Sequence, residues 1–295
     1  PVNIEVLNRF VSVKNVKTTI NKLKEGKIDL LIGTHRILSD DVKFKDLGLL
    51  VVDEEQRFGV KHKEKIKNYK NNIDVLTLSA TPIPRTLQMS IAGIRSLSMI
   101  ETPPAERYPI QTYVLEENDQ IIKETIGKEL ARNGQVYILF NNIETMHQQQ
   151  AKVQQLVPGI KIEIAHGRMP KQELEEVMNR FNNHEFDCLL CTTIIETGID
   201  IANVNTLIII DADHFGLSQL YQIRGRIGRS NKIGYCYLMY DKSKILSEVA
   251  TKRLKVIKDF TSLGSGFAIA MRDLSIRGAG DLLGQEQAGF IDSVG

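Results

Sequence analysis

Tryptophan is absent from this 295-residue sequence, cysteine occurs only three times, and no uninterrupted apolar run approaches a membrane span. Each scarcity closes off a class. Three cysteines, two of them (Cys188 and Cys191) in the strand-like run DCLLCTT, cannot build the disulfide framework of a small secreted domain; they suit a reducing compartment. A spanning helix needs roughly 18–20 apolar residues, which predicts no membrane segment. The opening PVNIEVLNRF does not read as a secretion signal. Charge of one sign is also lacking. With 38 Lys+Arg against 36 Asp+Glu the formal net charge is +2, which excludes a histone-like polycation and an acidic disordered tail. The six histidines are scattered with no H-E-x-x-H grouping, so a zinc hydrolase has no support. What remains is 42% hydrophobic residues, ordinary for a folded chain of about two domains at roughly 100–200 residues each.

Short β-branched runs alternate with longer amphipathic stretches, the pattern of parallel strands covered by helices in an α/β fold. Strands are expected at 28–34 (IDLLIGT), 49–53 (LLVVD) and 75–79 (VLTLS), each apolar enough to be buried on both faces. Three prolines in ETPPAERYP (101–109) predict a linker. The alternation then restarts. A helix over 119–132 should end at Asn133-Gly134; a strand follows at 136–140, then a helix to 157, a strand at 161–165, and a helix over 171–181 behind Pro170. Further strands are expected at 188–192, 206–210 and 235–239. From 242 the chain turns into a basic amphipathic helix, broken by GSG at 264–266 and followed by a second helical stretch and a Gly-rich tail. The expected divisions are therefore 1–103, 104–241 and 242–295.

Chemistry concentrates at strand ends. LLVVDEEQRFG places Asp53 and Glu54 at the C-terminal edge of a strand, where open α/β sheets bind ligands. In nucleotide hydrolysis one such carboxylate holds Mg²⁺, and its neighbour orients and deprotonates the attacking water. LSATPIPRT ends another strand with Ser79 and Thr81, which can hydrogen-bond a neighbouring carboxylate. GTHRIL offers Thr34, His35 and Arg36 to phosphate oxygens. In QIRGRIGR (222–229), Gly225 and Gly228 give Arg226 and Arg229 a close approach to phosphate, for which the planar, permanently charged guanidinium is suited. A basic helix end with glycines could also bind nucleic acid without specificity. GAGDLLG (278–284) has the wrong spacing for a dinucleotide loop, and Cys188-x-x-Cys191 on a strand points its thiols to opposite faces, as core packing would.

Taken together, DEEQ, SAT, TTIIETGID and QIRGRIGR resemble motifs II, III, V and VI of superfamily 2 helicase and translocase motors. More narrowly, LGLLVVDEEQRFGVKHKEKIK, LTLSATPIPRTLQMSIAGIRSLSMIETPPAER, CTTIIETGIDIANVNTLIIIDADHFGLSQLYQIRGRIGRS and MRDLSIRGAGDLLGQEQAG resemble the bacterial transcription-repair coupling factors. The resemblance implies two RecA-like, P-loop-NTPase-type lobes, the first truncated, plus a C-terminal helical hairpin, the TRG (translocation in RecG) element. It implies ATP and Mg²⁺ as cofactors, with Asp53 as the metal ligand, Glu54 activating water, Arg226 and Arg229 as arginine fingers, and Gly198, Asp200 and Gln222 contacting nucleotide. Thr34, His35, Arg36, His166, Thr192 and Thr193 would lie near the DNA backbone. Ser79 and Thr81, with Arg277 and Gln287 of the TRG element, would couple nucleotide state to movement. The implied partners are double-stranded DNA and, through other domains, RNA polymerase and the excision-repair machinery, in a bacterial cytoplasm. RecG-like fork-remodelling helicases share this core, and a non-catalytic nucleic-acid-binding module is the third reading. One departure stands out: no G-x-x-x-x-G-K-[ST] occurs anywhere, so the expectation is a motor fragment that does not hydrolyse ATP by itself.

Overall fold

The computed structural model describes residues 2–8, 11–55, 58–69, 71–80, 98, 100, 108–194, 201, 203–261 and 265–281. The chain divides into two compact units, Pro1–Ala80 and Thr81–Gly295.

In the first unit, strand β1 (Ile4–Leu7) leads to helix α1 (Val13–Glu25) and strand β2 (Leu30–Gly33), with β1 and β2 parallel. The Ser12 hydroxyl accepts the Asn15 amide and starts α1 as an N-cap should. A 3-10 turn (His35–Leu38) follows, then strand β3 (Leu49–Asp53), helix α2 (Val60–Tyr69) and strand β4 (Asp74–Leu78). Strands β3 and β4 are parallel, with Asp53 opposite Leu78. Ile20 and Leu23 of α1 pack on Leu7 and Val42, while Ile66 of α2 packs on Leu38, Leu50 and Val52. These strands do not have both faces buried, contrary to the sequence expectation. Leu50 and Val52 are buried, but Leu49 and Val51 stay 57% and 51% exposed, because among the described residues helices cover one face only.

In the second unit such burial is reached at the centre of the sheet. Its six parallel strands run in the order β5-β10-β9-β6-β8-β7. They are β5 (Gln111–Glu116), β6 (Gln135–Leu139), β7 (Ile162–Ala165), β8 (Cys188–Cys191), β9 (Val204–Ile209) and β10 (Tyr235–Tyr240). The helices are α3 (Asp119–Ala131), α4 (Met146–Leu156), α5 (Lys171–Asn182), α6 (Leu217–Arg224), α7 (Glu248–Asp259) and α8 (Gly266–Asp281). The central β6, β8 and β9 are buried throughout. Alternate residues feed two cores: Tyr137, Leu189 and Cys191 one, Val136, Cys188 and Leu190 the other. Cys188 and Cys191 thus do face opposite ways. Helix α7 begins later than the sequence pattern predicts, because the Ser247 hydroxyl accepts the Ala250 amide and fixes the start at Glu248. Helices α6, α7 and α8 pack on one another.

The lower edge of this sheet is closed by charge. Glu129, 1% exposed, accepts from the Thr206 hydroxyl and pairs with Arg132. Arg132 also donates to the Ile233 carbonyl at 3.0 Å, and Lys232 Nζ returns a bond to the Arg132 carbonyl at 3.0 Å. The segment entering β10 is thereby fixed from two sides.

Candidate functional site

The first unit gathers its carboxylates at the C-terminal ends of β3 and β4. Asp53 closes β3 with an exposed side chain. The next residue breaks the strand: Glu54 takes φ 53, a left-handed conformation uncommon outside glycine, and its amide donates to the Leu78 carbonyl at 2.9 Å. That turn carries the Glu54 carboxylate towards β4, where Oε1 accepts the Ala80 main-chain N–H at 3.3 Å. Glu55 Oε2 accepts the Thr77 hydroxyl at 3.3 Å. A link between DEEQ and SAT therefore exists and includes the Ala80 amide, with Thr77 of β4 joined to Glu55 beside it. Ser79 also lies at this edge, whereas Thr81 is outside the described residues. Among the described residues no group of three or more His, Cys, Asp or Glu could hold a metal ion. Mg²⁺ asks for less: one or two carboxylates, with water and substrate phosphate completing its shell. The exposed Asp53 carboxylate fits that demand.

The same unit builds a second surface beside β2. Gly33 is needed there, since a Cβ would sit 2.2 Å from the Leu7 carbonyl oxygen. The turn it permits presents Thr34 and His35 to solvent. Arg36 beside them is half-buried. Its guanidinium is engaged by both oxygens of Asp41, with Nη1 at 2.7 Å from Oδ1. That bidentate bond holds the Asp41 carboxyl below its ordinary range and pushes Arg36 up.

In the second unit, the C-terminal strand ends bring His166, Thr192 and Thr193 together. Ala165 and Cys191 are paired residues of β7 and β8, and the Thr192 amide donates to the Ala165 carbonyl at 3.2 Å. Thr192 is buried; Thr193 and His166 are half-buried, and His166 Nδ1 has no hydrogen-bond partner among the described residues. Gly198 and Asp200 lie outside the described residues, as does Gln287; Arg277 lies on α8, with its side chain outside them.

QIRGRIGR spans the end of α6 and the turn beyond it. Gln222 and Arg226 are half-buried and Arg229 is exposed, its Nε donating to the Gly225 carbonyl at 3.1 Å. The two glycines are not equivalent. Gly228 has φ +65, and a Cβ there would lie 3.1 Å from Ile110 Cγ1; Gly225 has helical φ −65 and only ordinary neighbours at 3.4 Å. Sequence reasoning missed Arg224. It is 4% exposed and donates to the Thr112 hydroxyl and to the main-chain carbonyls of Ile257 and Phe260, so it caps the C-terminus of α7. The signal available was its apolar setting, with Ile223 beside it and Leu220 one helical turn before.

Residues 2–90 match the model of the DEAD/DEAH box helicase family, and residues 117–231 that of the helicase conserved C-terminal domain. All 295 residues align with transcription-repair-coupling factors, at 59% identity with that of Staphylococcus haemolyticus and 58% with that of Staphylococcus aureus strain USA300. The chain spans 25% of the length of each. Among solved structures, RecG bound to a three-way DNA junction is 33% identical, with a TM-score of 0.72 over 95% of this chain and 37% of that one. The Mycobacterium smegmatis helicase Lhr, bound to single-stranded DNA and AMP-PNP, is 15% identical with a TM-score of 0.62 over 87% of this chain and 37% of that one, a likeness of fold alone.

Proposed function

We propose, for a chain that belongs to the superfamily 2 helicase-like motors and is homologous throughout to transcription-repair-coupling factors, that it is part of an ATP-driven double-stranded-DNA translocase. The translocase acts on stalled RNA polymerase and links its removal to excision repair, in the bacterial cytoplasm. The observation that carries the reading is the Glu54 carboxylate, turned by a left-handed residue onto the Ala80 amide of the SAT segment. A carboxylate so fixed can hold one orientation towards a water while its strand-mate reports a change at the same edge.

In this reading Asp53 binds Mg²⁺ and Glu54 accepts a proton from the attacking water. Mg²⁺ supplies charge neutralisation to the phosphates when bound. Arg226 and Arg229 act as arginine fingers, and Gln222, Gly198 and Asp200 contact nucleotide. Thr34, His35, His166, Thr192 and Thr193 line the DNA path; Ser79, Thr81, Arg277 and Gln287 relay nucleotide state. The phosphate cradle of a Walker A loop is not among this chain's residues, so the 295-residue chain alone turns over no ATP.

A chimera tests the reading: this chain replaces the aligned stretch of the Staphylococcus aureus factor and is added with ATP to RNA polymerase stalled on DNA. ATP-dependent transcript release is expected. Regression of a model replication fork without release would favour the RecG-like alternative, to which the 33% identity to RecG lends weight. Neither activity would overturn both and leave the non-catalytic module.

A further inference from the structure

The Arg36–Asp41 pair leaves a question of which cations in the first unit meet phosphate. Arg36, the strongest phosphate ligand of GTHRIL by type, has both terminal nitrogens on Asp41. Helix α2 approaches the same turn from the other side. His62 lies 5.6 Å from His35, ring centroid to centroid, and Phe58 lies 5.9 Å from His35 and 6.2 Å from His62. The three rings join the first turns of α2 to Thr34 and His35 as one continuous surface.

Helix α2 has four lysines in ten residues, VKHKEKIKNY. Lys65 is committed to Asp40 at 2.8 Å, which holds that carboxyl below its ordinary range. Lys61, Lys63 and Lys67 have no carboxylate partner among the described residues. Successive residues turn by about 100° around a helix, so Lys61 and Lys63 flank His62 on either side. Lys61 is exposed and Lys63 half-buried. The one acidic residue on the helix, Glu64, is exposed. Two ammonium groups with no ion pair among the described residues thus flank the His62 ring that packs near His35, while nearby Asp40 and Asp41 pair with Lys65 and Arg36.

We propose that the phosphate contacts of the first unit are made by Lys61 and Lys63 of α2, in one track with Thr34 and His35, and that Arg36 supports the turn without touching phosphate. The inference rests on the reading of this chain as a double-stranded-DNA motor and names the surface by which it holds the duplex backbone. Lysine suits that task, since a point charge on a flexible stem tolerates a phosphate that moves past it, where a bidentate fork would fix it. Such contacts carry no sequence information.

The test is duplex binding by the 295-residue chain, followed by fluorescence anisotropy on a labelled random-sequence DNA over a range of KCl concentrations. Each phosphate contact contributes about 0.9 to the slope of log affinity against log salt. The Lys61→Gln/Lys63→Gln double variant should lose about two such contacts from the slope, and Lys61→Gln alone about one, which guards against misfolding at the half-buried Lys63. Arg36→Gln should leave the slope as it was. A charge-matched double variant on α1, Lys14→Gln/Lys17→Gln, should change it less than the α2 pair does. An unchanged slope in the α2 double variant, a drop shared equally by the α1 control, or a drop that follows Arg36→Gln would each overturn the proposal. Absence of salt-dependent duplex binding by the unaltered chain would instead remove the DNA reading itself, and the proposal with it.

Discussion

Arg224 donates its guanidinium to the main-chain carbonyl of Ile257, thirty-three residues away, and so ties the helix bearing QIRGRIGR to the last turn of α7. Burial pulls the Arg224 pKa down, yet it remains a cation, and the carbonyls of Ile257 and Phe260 are where the negative end of a helix dipole gathers. Losing the side chain leaves those carbonyls without their charged donor in a buried place, at about 1–3 kcal/mol each. Arg224→Ala should therefore lower the urea midpoint of the second unit substantially. Arg224→Lys, which keeps charge but cannot reach two carbonyls with a fork, should fall between. Equal stability of all three proteins in urea would contradict the capping role.

Gly228 and Gly225 should respond differently to alanine. At Gly228 the left-handed backbone costs an L-residue about 1–2 kcal/mol, and the new methyl meets Ile110 at 3.1 Å. At Gly225 the backbone is already helical, so alanine should be neutral or stabilise by up to about 1 kcal/mol through the unfolded chain. Thermal melts of the two variants decide it: the same loss at both sites would mean that neither backbone geometry nor Ile110 sets the requirement.

The centre of the second unit was legible in the sequence because β6, β8 and β9 are buried on both faces and read as largely apolar runs such as CLLC; the edge strand β5, exposed at Gln111 and Tyr113, was not among the expected strands. Most of its boundaries moved by a residue or two, and by more where a cap intervened: α7 starts at Glu248, behind Ser247, and not from 242. The first unit was less legible. LLVVD looks like a doubly buried strand, yet among the described residues one of its faces is open, which no local pattern can disclose, and the strand IEVL was not among those expected. The carboxylates of the candidate site were visible as DEE, but not the φ 53 turn at Glu54 that aims one of them at Ala80. The Arg36–Asp41 pair and the cap made by Arg224 were not visible in the sequence for one reason. An arginine's partner is set by tertiary neighbours, here Asp41 and the end of α7, and charge in the sequence gives only the appetite.

The three cysteines should stay silent in the native chain. Cys188, Cys191 and Cys236 are free and buried, and burial pushes the Cys236 thiol up to about 12 from an ordinary 9.0. A thiol reagent should label none of them natively and all three in denaturant. The pH effect has a definite sign. Above 9.0 the unfolded chain releases thiol protons that the folded chain retains, so this contribution to stability is intact below 9.0 and declines as pH rises towards 12. Chemical denaturation at a series of alkaline pH values reads that decline. Replacing Cys236 with alanine should reduce its steepness, and an unaltered pH dependence would show that the buried thiol is not its source.

Arg226 lies two residues beyond Arg224 in the same motif, and its prediction is of a different kind. Arg224 is spent on α7; Arg226 is half-buried on the turn that follows α6. If it acts as an arginine finger, its charge matters chiefly when negative charge develops on the transferred phosphoryl group, and such residues are worth about 10³–10⁵ in turnover. In the Staphylococcus chimera Arg226→Ala should cut ATP turnover by about that factor, with KM for ATP and duplex affinity nearly unchanged and the urea midpoint close to that of the parent. Arg224→Ala should show the opposite balance, losing stability first. Turnover retained in the Arg226 variant would remove the finger assignment, and turnover lost together with the urea midpoint would make Arg226 a second structural arginine.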